Sequence, residues 1–63
     1  METLKEYYDR LAQLDEEMDQ ALEQGDTAKA NEIGEEGKRL IKEIGEKFTH
    51  EERTKYRKER YNL

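Results

Sequence analysis

Residues 4–26, LKEYYDRLAQLDEEMDQALEQGD, decide the fold. Leu4, Leu11 and Met18 recur every seven residues, and Tyr7, Leu14 and Ala21 repeat that spacing three positions later. On a helix the two sets merge into one apolar seam, the pattern of a segment that packs lengthwise against another helix. Thr3 and Glu6 stand at capping-box spacing ahead of the seam and predict a helix over about 3–24. Gly25 can take the left-handed conformation that closes a helix, and Asp26 can accept from the free N–H groups that open the next, so the pair reads as a hairpin turn.

Outward from the turn, Ala30, Ile33, Gly37, Leu40, Ile44 and Phe48 share one face of a second helix over about 27–48, with Ile41 widening it. Gly34, Gly37 and Gly45 each cost roughly 1 kcal/mol against alanine inside a helix. Close packing against the first helix is the expected reason for Gly37, whereas Gly34 and Gly45 mark either a groove facing a partner or local flexibility. Thr49 and Glu52 repeat the capping-box spacing and start a short third helix over about 50–61. Arg53, Tyr56, Arg60 and Leu63 share one of its faces, a weakly packing combination. The expected fold is all-α: an antiparallel helical hairpin with a short third C-terminal helix, in one small domain covering 1–63.

At 63 residues with no cysteine, the chain has little surface to bury and no disulfide or thiolate metal site to compensate. Self-association is the usual remedy. The sequence therefore predicts a homodimer with a four-helix core, pairing through Leu4, Leu11, Leu14 and Met18 with Ile33, Leu40 and Ile44. Charge is laid out in order: residues 1–36 hold twelve Asp and Glu against three Lys and Arg, while 37–63 hold five against nine. A net charge of −5 speaks against wholesale binding to nucleic acid or an anionic membrane. No stretch is long and apolar enough to span a bilayer, and METLKEYY lacks the basic and apolar regions of a secretory signal, so the expected location is cytoplasmic.

The residues that carry chemistry are sparse. With neither Cys nor Ser and one His at position 50, no activated nucleophile with an adjacent base can be assembled. His50-Glu51 begins like a zinc-helix motif, but no second histidine completes it. Asp15, Glu17 and Asp19 alternate like calcium ligands, yet Gln20 stands where the loop needs glycine. Gly34-Glu35-Glu36-Gly37 spells a GXXG clamp whose two carboxylates would repel phosphate. No enzyme activity, metal or cofactor is expected.

Two surfaces remain as partner-binding candidates. Asp15, Glu16, Asp19 and Glu23 form an acidic helical face, most simply solvated but able to present carboxylates where a partner binds phosphate. Arg53, Tyr56, Arg57, Lys58, Arg60 and Tyr61 interleave basic and aromatic groups, suited to phosphate contact and base stacking, or to pairing with the acidic first helix. Tyr8 flanks the seam, either as a surface anchor or as cover for the core.

The stretch Leu14–Leu40, with Leu14, Met18, Ala21, Gly25-Asp26, Ala30, Ile33 and Leu40, resembles the UVR-type helical hairpin used for protein docking in excision-repair subunits. Gly25-Asp26 followed by Lys29-Ala30 is also similar to tetratricopeptide repeats. Thr27 replaces an aromatic and Gly34-Glu35 replaces Arg-Asp in the UVR pattern, so no family is assigned. The resemblance implies a docking module. The expected function is a non-catalytic protein-binding regulator or adaptor; the alternatives are a small nucleic-acid-binding accessory protein using the C-terminal segment, or a self-assembling scaffold element.

Overall fold

Thr3 starts the first helix: its side chain accepts from the Glu6 N–H at 3.2 Å, and its hydroxyl donates to the Glu6 carboxylate. The Thr3 cap thus differs from the expected reciprocal box, because the carboxylate takes the hydroxyl proton. In the computed structural model, which describes residues 1–62, this helix is α1, Leu4–Glu23. Gly25 then turns the chain at φ +67°, and Asp26 accepts from the Lys29 N–H at 3.0 Å to open α2, Thr27–Lys47. Phe48 is extended, and Thr49 starts α3, His50–Tyr61, with a complete capping box. Thr49 Oγ1 accepts from Glu52 N–H at 3.1 Å, while Glu52 Oε1 accepts from Thr49 N–H at 3.0 Å. The all-helical hairpin is as expected.

The core lies between α1 and α2, and its side chains grow along the hairpin. Ala21 and Ala30 meet beside the turn, Leu14, Ile33 and Leu40 fill the middle, and Tyr7 and Ile44 close the far end. Tyr7 is fully buried, edge-on to Phe48 at 6.1 Å between ring centroids, and its hydroxyl donates to Glu43 at 2.9 Å. Small residues at the turn let the helices approach closely; aromatics at the open end keep the gap filled where no covalent connection holds it.

The two long faces of this hairpin differ. One is laced with charge: Arg10 forks onto Glu36 at 2.7 and 2.9 Å and reaches Glu17 at 3.1 Å. Tyr7 and Glu43 extend that face toward the open end. The opposite face is a groove of about 230 Å³ lined by Leu11, Leu14, Asp15, Met18, Ile33, Gly34, Gly37, Lys38 and Ile41.

Several expectations need correction. A Cβ at Gly37 would meet nothing within 4 Å, so close packing against α1 is not its reason; it faces the groove. Leu14, Ile33, Leu40 and Ile44, expected to join two protomers, are buried within one chain. Adjacent hairpin helices reach these residues first, because a short turn brings their faces together at no cost in association. At the open end Glu43 receives the Tyr7 hydroxyl and Lys47 donates to the Met1 carbonyl. Leu63 lies outside the described residues.

Candidate functional site: the charged and open faces of the hairpin

Where α3 sits follows from two contacts. The Tyr56 ring stacks on Tyr8 at 5.4 Å and 19°, and Arg60 pairs with Asp9 at 2.9 Å while also donating to the Tyr56 hydroxyl at 3.0 Å. No residue of α3 is buried. The helix is therefore held to α1 by one ring stack and one ion pair rather than by a shared apolar core, a class of contact individually worth little. Asp9 also accepts from Lys5 at 2.7 Å, and the bonds from Lys5 and then Arg60 hold its carboxyl below the usual range. Arg60 is held more firmly protonated by its bonds to Tyr56 and Asp9. On the laced face, the Arg10 bond lowers the Glu36 carboxyl in the same way.

This arrangement divides the basic-aromatic segment. Tyr56 and Arg60 are spent on α1, and Arg53 donates to the Thr49 carbonyl of its own helix at 3.3 Å. Arg57 and Lys58 are exposed, as is Tyr61, whose ring lies 5.8 Å from the Arg60 guanidinium carbon. Tyr8 is covered by Tyr56 and serves as the seat for α3. The acidic candidates Asp15, Glu16, Asp19 and Glu23 are all exposed, and among the described residues none forms an ion pair; Glu17, their neighbour, is held by Arg10. The structure thus keeps the acidic face available and reduces the basic one to Arg57, Lys58 and the neighbouring Lys55.

Helical spacing places Tyr8, Leu11, Asp15, Met18 and Leu22 on one stripe of α1, beside the core seam. α3 covers the Tyr8 end of it and nothing further along: Leu11 and Met18 are half-buried, and Leu22 is 63% exposed. Facing them on α2 are Gly34, Gly37 and Ile41, the last 62% exposed. Of the two glycines left open between a groove and flexibility, Gly34 lines the groove and Gly45 does not, and Ile41 widens the apolar face as expected. Lys38 was missed: at that position a lysine reads as ordinary solvated surface until the hairpin brings it and Asp15 into the lining of one groove.

His50 is exposed, with Nε2 3.4 Å from Thr54 Oγ1, in a shallow depression shared with Glu51, Thr54, Lys55 and Lys58 on the single helix α3. Among the described residues no three His, Cys, Asp or Glu side chains are gathered to hold a metal, and no helix is long and apolar enough to cross a membrane.

These features define a class by architecture: an all-α chain of three helices, the first two packed as a hairpin. No protein-family description matches the chain, and comparison with curated proteins and with solved structures likewise yielded no match.

Proposed function

We propose that the chain is a non-catalytic, cytoplasmic protein-binding regulator or adaptor that pairs with itself and presents helical surfaces to a second protein. The observation that carries this reading is the inequality of the hairpin's faces. One long face is closed by Arg10, Glu36 and Glu17, whereas the other leaves Leu11, Met18, Gly34, Gly37 and Ile41 on an open groove. A hairpin that needed nothing beyond its own fold gains no stability from keeping Ile41 and Leu22 largely in water. Beside the groove, Glu16, Asp19 and Glu23 offer unpaired carboxylates to a partner carrying Lys or Arg.

A second reading, a nucleic-acid-binding accessory protein, is favoured by the exposure of Lys55, Arg57 and Lys58. Three cations next to an acidic helix make a small footprint, and the segment's best stacking ring, Tyr56, is already stacked on Tyr8. The test is capture by the immobilised chain from lysate with and without nuclease, then affinity measurement with each purified candidate across a salt series. The adaptor reading expects a defined protein whose binding is lost in Glu16→Lys, Asp19→Lys, Glu23→Lys and survives Arg57→Glu, Lys58→Glu. Retention of nucleic acid with a steep salt slope, lost on reversing Arg57 and Lys58, establishes the alternative. Open-ended oligomers with no foreign partner would point to a scaffold element instead.

A further inference from the structure

We infer that the groove between Leu11, Met18, Gly34 and Ile41 is the seat of a second copy of this chain, related by a two-fold axis parallel to the hairpin. The inference rests on the self-pairing part of the reading above and adds its geometry. Charge decides the occupant. α1 carries Glu6, Asp9, Asp15, Glu16, Glu17, Asp19 and Glu23 against Lys5 and Arg10, whereas acidic and basic residues balance along α2. The Met18 side chain lies beside Gly34, 3.9 Å from where a Cβ there would stand, and an antiparallel register with that match puts Asp15 within one residue of the level of Lys38, both lining the groove.

Two ways of stacking one hairpin face on another obey two-fold symmetry. With the axis across the helices, α1 lies over the partner's α1, and two acidic helices meet with Asp15 beside its own copy. With the axis along the helices, α1 lies over the charge-balanced α2 of the second copy, and both turns fall at one end. The acidic helices then sit diagonally, and Asp15 of each chain meets Lys38 of the other twice over. Only this second arrangement makes the face complementary to itself. Glycines at positions 34 and 37 leave the floor low where α1 of the second copy brings its Met18 side chain, while Ile41 of the second copy comes over Leu11. α3 covers only the Tyr8 end of this face, by its contacts with Tyr8 and Asp9, and the groove begins beyond it at Leu11.

The test uses the full chain in sedimentation equilibrium from micromolar to millimolar concentration. The expected species has twice the 7.6 kDa chain mass. Ile41→Glu alters a side chain that the lone hairpin leaves 62% exposed, so helical circular dichroism is retained while dimer dissociation rises at least about 30-fold. Asp15→Lys and Lys38→Asp each weaken self-pairing about 10-fold, and mixing the two variants restores it as a heterodimer. Because the chain has no cysteine of its own, a spin label at Gln24→Cys reports orientation. Turns at one end place the labels within about 20 Å, whereas the crossed arrangement separates them by about 30 Å. A chain monomeric throughout, a dimer indifferent to Ile41→Glu, no restoration on mixing, or the longer distance overturns the inference. A monomer that still captures a protein partner overturns this pairing while leaving the adaptor reading standing.

Discussion

Tyr7 is the side chain on which the open end of the hairpin depends, and its replacement gives the sharpest quantitative check on the fold. Its ring is fully buried, meets Phe48 edge-on, lies under the Lys47 ammonium at 5.4 Å, and places its hydroxyl 2.9 Å from Glu43. Tyr7→Phe keeps the ring and deletes one hydrogen bond to a half-exposed carboxylate that water can re-solvate, so the loss is about 1 kcal/mol. Tyr7→Ala removes the ring and leaves a cavity that the far ends of α1 and α2 cannot close, at about 3–5 kcal/mol. A domain this short holds only about 3–9 kcal/mol in total, so the alanine variant loses much or all of its cooperative fold. Urea unfolding followed by circular dichroism, at one fixed protein concentration because association shifts the midpoint, reads both effects. With a urea slope of about 1 kcal/mol/M for a small domain, Tyr7→Phe lowers the midpoint by about 1 M. A Tyr7→Ala chain within about 1 kcal/mol of the parent would refute the placement of this ring at the centre of the open end.

Three further outcomes follow from the contacts described above. Gly45→Ala, where a Cβ meets nothing within 4 Å, raises the unfolding free energy by about 1 kcal/mol, whereas Gly25→Ala, at φ +67°, lowers it by about 1–2 kcal/mol; paired thermal melts measure both, and the same sign for the two would contradict the turn. Tyr56→Ala with Arg60→Ala frees α3 while the hairpin stays folded, read as faster amide exchange across His50–Tyr61 with α1 and α2 unchanged; equal loss of protection throughout would show that α3 belongs to the core. The Asp9 and Glu36 carboxyls, held low in the folded chain, contribute stability that is complete above the ordinary carboxylate range and is lost as acid protonates them. Stability therefore falls as pH drops below about 5 and through 4, and Glu36→Gln flattens that decline; an undiminished acid slope in the variant would remove Glu36 from the cause.

Helices, turn and core were legible in the order of residues, because each rests on local chemistry. Seven-residue spacing in α1, Gly25 with Asp26, and Thr49 with Glu52 act over a few residues, and backbone hydrogen bonding leaves them one outcome. The same locality explains what was misjudged. Gly37 was read as a close-contact residue because spacing tells which face a residue shares but not whether the opposing helix fills the space before it. The dimer face was drawn partly from Leu14, Ile33, Leu40 and Ile44, which α1 and α2 spend on each other, since an apolar stripe carries no mark of which partner covers it. Folding in three dimensions was needed to show that Tyr56 and Arg60 belong to Tyr8 and Asp9, that Arg10 and Glu36 close one long face, and that Asp15 and Lys38 come to line a single groove on the other. Those pairings join residues separated by a turn or a whole helix. Side-chain reach and helix register in three dimensions set them, and neither quantity is written in the order of residues along a single element.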